Sequence, residues 1–162
     1  MQSWKARIKA LKIQLKNGLG NNMMLTSKAR YAVTALVDIA VLEKERGAKP
    51  VRLAEISERQ GIALNYLEQI FGKLKAAGLV ASIKGPGGGY VISNGANSTR
   101  VFDIINAVEE PIEMTNCGSH STLPCTPERA KCLTHDLWEG LEGQIKSYLK
   151  SITLQDLCQK SI

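Results

Sequence analysis

Apolar residues recur at helical spacing in several stretches of this 162-residue chain, with turn-forming residues between them. Thr26 and Ser27 are good N-caps for a first helix through about residue 42. The charged segment 43–50, which ends in proline, predicts a loop. Further helices are predicted at residues 53–59, 64–77 and 101–108, with a long one from about 137 that breaks near Thr153 before a last turn. The expected buried positions are Ala29, Ala32, Val33, Leu36, Ile39 and Ala40 in the first helix, and Leu64, Leu67, Ile70, Phe71 and Leu74 in the third.

A glycine-rich segment separates two short apolar runs, residues 79–83 and 90–92. These runs predict two strands joined by Lys84-Gly85-Pro86-Gly87-Gly88-Gly89. The segment lacks the Gly-Lys-Ser/Thr of a phosphate-binding loop and precedes a strand rather than a helix, so a tight hairpin tip is favoured. The predicted fold is mainly α with a small β-hairpin wing. It combines a winged helix-turn-helix domain with a long dimerisation helix.

Net charge is unevenly distributed and divides the chain into three parts. Residues 1–22 carry five basic and no acidic residues, residues 23–100 eleven basic and six acidic, and residues 101–162 five basic and nine acidic. The basic middle part predicts a domain that binds a polyanion such as DNA, and the acidic part predicts a module with a different role. The first part predicts either an amphipathic helix for a membrane, acidic partner or targeting, or a functionless extension upstream of Met23 or Met24.

Two absences in the sequence bear on localisation. No run of apolar residues approaches about 18, so a membrane-spanning helix is excluded. The N-terminus lacks the uninterrupted apolar core of a secretory signal, so a cytoplasmic protein is expected.

The basic part contains the elements of a DNA-binding surface. Two short helices separated by Gly61 and followed by a hairpin fit a helix-turn-helix whose second helix enters the major groove. Amide side chains can read base edges and cations can neutralise phosphates, so double-stranded DNA is the expected partner. The candidate contacts are Lys28, Arg30, Arg52, Arg59, Asn65, Tyr66, Glu68, Gln69, Lys73 and Lys84, with the backbone of Gly85 and Gly87.

The cysteines all lie in the acidic part. Cys117, Cys125, Cys132 and His135 could supply three thiolates and an imidazole, which suit zinc or an iron–sulfur cluster. No tight Cys-x2–4-Cys pair is present, and the wide spacing fits a group larger than one ion. His120 is an alternative imidazole ligand. The alternative to a metal site is that the three thiols bind no metal. The fourth cysteine of the chain is expected to act as a small apolar residue. No arrangement suited to catalysis is visible, so an enzyme is not expected.

Several segments resemble the IscR-type family of iron–sulfur cluster regulators. They are residues 25–33, 56–62, 66–69, 84–90 and 131–135, the last reading Lys-Cys-Leu-Thr-His. The likeness extends over about residues 24–158 and is specific in combination, above all in the glycine wing followed by Cys-Leu-Thr-His. The chain departs from the family where Lys84 replaces an arginine, where Ala63 and Asn65 replace serines, and in longer gaps between the first ligands.

The resemblance implies a homodimeric transcription factor that senses iron–sulfur cluster status and acts as repressor or activator of cluster-assembly genes. By motif, Cys117, Cys125, Cys132 and His135 would hold one [2Fe–2S] cluster per chain, and Glu68 would discriminate promoters. Iron–sulfur scaffold proteins are implied as partners. The alternative hypothesis is a zinc-stabilised adaptor that binds an acidic protein, and a metalloenzyme ranks last.

Overall fold

The computed structural model describes residues 26–47, 49–108, 112, 125 and 131–159. The helices are α1 Ser27–Arg46, α2 Leu53–Gln60, α3 Leu64–Ala76, α4 Val101–Val108, α5 His135–Ser151 and α6 Leu154–Gln159, and the strands are β1 Val80–Ile83 and β2 Gly89–Ile92. The described residues divide between two compact units, one that contains residues 125 and 131–139 and one that contains residues 26–47, 49–108, 112 and 140–159. The predicted N-terminal helix of residues 1–22 lies outside the described residues. Within the described part, no helix is long and apolar enough to cross a membrane.

Helix α1 is the centre of the larger unit and packs against α2, α3, α4, α6 and β2. Its 20 residues continue to Arg46. The prediction of a loop from residue 43 is therefore wrong for residues 43–46, because these charged residues form the last turn of the helix. Val33, expected to be buried, is half-buried beside the core. The helix ends where Gly47 takes a left-handed φ of 75°, a conformation that glycine adopts without steric cost.

Helices α2 and α3 form the predicted helix-turn-helix, with Gly61 at a φ of 64° between them. Leu67, Ile70, Phe71 and Leu74 of α3 are fully buried, as their spacing predicts. The expectation that Leu64 is buried with them is wrong, because its side chain is 40% exposed. Side chains lean toward the N-terminus of a helix, so the first residue of α3 projects beyond the core that the later turns cover.

The wing is an antiparallel hairpin that pairs Val80 with Ile92 and Ile83 with Gly89. Val51 adds a short third partner that the apolar pattern did not reveal. Its N–H donates to the Tyr90 carbonyl at 2.9 Å, and the Tyr90 N–H donates to the Val51 carbonyl at 2.8 Å. The backbone just before α2 is therefore bonded directly to the wing.

The glycines of the wing fit the hairpin tip and not a phosphate loop. A Cβ on Gly89 would lie 2.4 Å from the Val51 carbonyl oxygen, where backbone cannot move aside. We expect Gly89→Ala to lower the free energy of unfolding by about 1–3 kcal/mol, the usual cost of overpacking. Urea denaturation would measure it. Gly72→Ala is the matched control, because a Cβ there meets nothing within 4 Å and alanine favours the helix. Equal stability of the Gly89→Ala variant and the wild type would contradict the close approach.

The break between α5 and α6 occurs at Thr153, as predicted, and has a local cause. The Thr153 N–H donates to Asp156 Oδ2 at 2.9 Å, and the Asp156 N–H donates to Thr153 Oγ1 at 3.2 Å. This reciprocal cap satisfies backbone groups at the start of α6. The Leu154 N–H also donates to the Thr99 carbonyl at 2.9 Å, which ties this junction to the chain just before α4. Helix α4 has the predicted bounds.

Candidate functional site

The exposed surface of α3 carries the side chains that the sequence analysis assigned to base contacts. Asn65, Glu68 and Gln69 are all exposed. Tyr66 is half-buried, and its ring meets Tyr31 of α1 edge to face at 5.9 Å between centroids. The exposed surface therefore offers amide and carboxylate groups, while the tyrosine pair fixes one side of α3 against α1.

The wing is attached to α3 through its apolar residues. Phe71 meets the Tyr90 ring of β2 edge to face at 5.0 Å between centroids. At the tip, Lys84, Gly85 and Gly87 are exposed, and the two glycines take left-handed φ values of 103° and 83°. The tip presents one cation, Lys84, and the bare backbone of Gly85 and Gly87 on either side of Pro86.

Two predicted DNA-contacting cations have partners inside the protein. Arg59 Nε lies 2.9 Å from Asp38 Oδ2, and Nη2 lies 2.8 Å from Oδ1. The Asp38 side chain is only 5% exposed, so the guanidinium neutralises a buried carboxylate of α1. The proximity of Asp38 raises the pKa of Arg59. Sequence reasoning missed this role, although a charged residue among the apolar positions of α1 was the signal.

Lys73 also has an internal partner. Its Nζ donates to the Val108 carbonyl at 3.1 Å and thereby satisfies the last carbonyl of α4. Of the other predicted cations, Lys28 is half-buried, while Arg30 and Arg52 are exposed. These three and Lys84 remain the candidates for phosphate contact.

The candidate metal centre combines residues before and at the start of α5. Cys125 Sγ lies 3.0 Å from His135 Nδ1, although the two residues are 10 apart in sequence. Cys132 is held nearby, because the His135 N–H donates to its carbonyl at 3.1 Å. Cys117 and His120 lie outside the described residues. Three of the four predicted ligands can thus be located, and two of them are in contact.

Hydrogen bonds favour the thiolate form of Cys132. The Thr134 hydroxyl lies 3.6 Å from Cys132 Sγ. The pKa of Cys132 is held below its usual value, mainly by the hydrogen bond with this hydroxyl. Hydrogen bonds with the Thr134 backbone and the Cys125 thiol lower it further. Because the thiolate is the form that binds metal, the sequence Cys-Leu-Thr-His supplies a ligand and its activating neighbour together. Sequence reasoning did not assign this role to Thr134.

A carboxylate donor set lies on the other side of the same imidazole. His135 Nε2 is 3.8 Å from Glu139 Oε2, and Asp136 completes a group of donor atoms within 4.8 Å of one another. Both carboxylates are exposed, and Lys131 Nζ lies 3.4 Å from Asp136. The thiols near Cys132 are softer donors than these oxygens and suit iron–sulfur chemistry or zinc better.

Helix α5 carries large apolar side chains that remain exposed. Leu137 is 63% exposed and Tyr148 61%, with Trp138 and Leu141 each at 37%. Leu137, Leu141 and Tyr148 recur at helical spacing, so they share one side of the helix. An exposed apolar face of this kind is typical of a protein–protein contact.

Comparison with known proteins places the chain among transcriptional regulators. The Rrf2 family model, described as an iron-dependent transcriptional regulator, matches residues 25–160. The chain is 51% identical over 135 residues to the HTH-type transcriptional regulator IscR of Photobacterium profundum, covering 83% of this chain and 75% of that protein. It is 49% identical over 138 residues to an HTH-type transcriptional regulator of Neisseria meningitidis serogroup A, covering 85% and 89%.

Solved structures agree with the sequence matches. IscR of T. potens has a TM-score of 0.66 at 32% identity, covering 91% of each chain. CymR, the global cysteine regulator of B. subtilis, has a TM-score of 0.69 at 30% identity, covering 83% of this chain and 95% of that one. These likenesses confirm the mainly helical fold with its wing and the resemblance to the IscR type, and these relatives are regulators rather than enzymes. The chain belongs to the Rrf2 family of DNA-binding transcriptional regulators.

Proposed function

We propose that this chain is a homodimeric regulator that senses iron–sulfur cluster status through one [2Fe–2S] cluster per chain. The ligands are Cys117, Cys125, Cys132 and His135. The observation that carries the proposal is the 3.0 Å approach of Cys125 Sγ to His135 Nδ1 beside the activated thiol of Cys132. Thiolate and imidazole together are donors that suit such a cluster. The bound cluster supplies the signal, since its presence or absence reports cluster supply in the cytoplasm.

The DNA-binding part of the proposal follows from the exposed side chains of α3 and the wing. Helix α3 enters a major groove, where Asn65, Glu68 and Gln69 meet base edges. Phosphate contacts come from Lys28, Arg30, Arg52 and Lys84, from the Tyr66 hydroxyl and from the backbone of Gly85 and Gly87. Arg59 and Lys73 instead brace the helices, because their cationic groups already have partners in α1 and α4.

The partner on α5 is a second copy of this chain. Its exposed apolar side chains would pair about a two-fold axis, which is the commonest arrangement of soluble oligomers. Two copies present two α3 helices to successive major grooves of one operator. Cytoplasmic iron–sulfur scaffold proteins are the proposed source of the cluster.

Anaerobic purification tests the metal assignment. We expect coloured protein that contains iron and acid-labile sulfide in equal amounts. Colourless protein with stoichiometric zinc would instead favour the zinc-stabilised adaptor and contradict cluster sensing.

Selection of duplexes from a randomised DNA library tests the nucleic-acid assignment. We expect one sequence with two-fold symmetry to be enriched. Its affinity should fall by about 0.9 log unit per log unit of salt for each phosphate neutralised. Failure to enrich any duplex would contradict DNA binding, whatever the metal content.

A further inference from the structure

The first residue of α3 is an apolar side chain that the protein core does not take up. Leu64 is 40% exposed, whereas Leu67 and Ile70, on the next turns, are fully buried. An exposed leucine by itself indicates little, since folded proteins expose apolar atoms routinely. Its place on the recognition helix decides what it can do.

Leu64 lies at the end of α3 that reaches deepest into a groove. In helix-turn-helix proteins the N-terminal residues of the recognition helix contact base edges, and side chains lean toward that end. Ala63 just before it is also exposed and too small to shield it. Glu68 lies one turn further on the same side of the helix, because residues four apart are neighbours. The fully buried Phe71 lies two turns further on nearly the same line, so Leu64 stands at the edge of the core face, and its exposed part lies on the side of the Glu68 carboxylate.

The major groove offers one apolar group that such a side chain can contact favourably. Base edges there present hydrogen-bond donors and acceptors, and the C5-methyl of thymine is the exception. A leucine placed against a polar edge would leave a donor or acceptor unpaired, which carries a free-energy penalty. We infer that Leu64 is a specificity-determining residue that contacts a thymine methyl group in each half-site. This inference rests on the proposed DNA binding.

The geometry also locates the thymine. Side chains four residues apart on a helix are about 5–6 Å apart at Cβ, and successive base pairs rise by about 3.4 Å. The thymine read by Leu64 therefore lies one or two base pairs from the position at which Glu68 acts.

A uracil scan tests this assignment on the full-length protein. The probe is the duplex enriched from the randomised library, with each thymine replaced singly by deoxyuridine, which removes only the methyl group. For the wild type we expect one position per half-site at which the replacement weakens binding by about threefold to fivefold, the worth of one buried methyl group. That position should lie one or two base pairs from the one whose preference changes in Glu68→Gln.

Two variants separate the methyl contact from a general loss of binding. Leu64→Ala should bind the thymine and uracil duplexes equally, whereas Leu64→Met, which keeps an apolar side chain, should retain the discrimination. The inference is overturned if the wild type ignores every thymine methyl, or if Leu64→Ala still discriminates, while duplex binding itself persists. Failure to enrich a duplex would overturn the proposed function and this inference with it. Because the wild-type scan needs no substitution, poor folding of one variant does not remove the test.

Discussion

Replacement of Cys132 by alanine should abolish the visible absorption of the anaerobically purified protein and remove its iron and sulfide. Cys132 is a proposed ligand whose neighbours favour its thiolate form, and a cluster that loses one of four ligands is poorly retained. Absorption spectra with iron and sulfide analysis measure the result. The protein should still fold, because Cys132 is not part of the buried hydrophobic core.

Cys158→Ala is the matched control for this prediction. Cys158 lies in α6, where its Sγ is 3.9 Å from the Val37 carbonyl oxygen of α1. Burial raises the pKa of this thiol, so it is held as a neutral apolar group. We expect the variant to keep full colour. Colour that survives in Cys132→Ala, or disappears in Cys158→Ala, would contradict the assigned ligand set.

Arg59→Met should clearly lower the free energy of unfolding, because it leaves the buried Asp38 carboxylate without its charged partner. Arg46→Met is a control of matched geometry. Arg46 also forms a bidentate pair between α1 and α2, with Nη2 at 2.6 Å and Nη1 at 3.1 Å from the Glu55 oxygens. The Glu55 carboxylate is 31% exposed against 5% for Asp38, so water can solvate it when its partner is removed. Arg46→Met should therefore lower the free energy of unfolding much less than Arg59→Met. Urea denaturation of both variants measures the difference.

A second substitution identifies the cause of the lost stability in Arg59→Met. The double variant Asp38→Leu, Arg59→Met should recover much of the stability, because the unpaired buried charge is then absent. In the folded single variant, the salt dependence of DNA binding should equal that of the wild type. If the slope of log affinity against log salt concentration is smaller by about 0.9 per chain, Arg59 contacts a phosphate. That result would contradict the assignment of Arg59 to an internal ion pair with Asp38.

Local signals predicted most of the helices, and their failures have physical causes. Gly61 and the α4 bounds could be predicted because turn formation and apolar spacing are properties of neighbouring residues. The Asp38–Arg59 pair could not, because the two residues are 21 apart and meet only when α1 packs on α2. Val51 was missed for the same reason, since its partner in the wing is distant in sequence.

The candidate metal site was predictable in composition but not in geometry. Three cysteines and a histidine in one segment indicated the donors, and the Cys-Leu-Thr-His sequence carried the family resemblance. The approach of Cys125 to His135 depends on the path of the chain between them, for which spacing gives no rule. Leu64 shows the converse, because periodicity assigned it to the core while its place at the helix start leaves it exposed.

The packing of α6 on α1 has a consequence for synthesis of the protein on the ribosome. Leu154 of α6 is fully buried among residues of the DNA-binding half, and Cys158 meets Val37 across 121 residues. Contacts between residues so distant in sequence form late, since the intervening chain must be present first. A nascent chain of which only the residues up to the end of the wing have left the ribosome still lacks Leu154, which is part of the hydrophobic core. The core of the DNA-binding part is thus completed only after the cysteines and histidine of the proposed sensor have been translated.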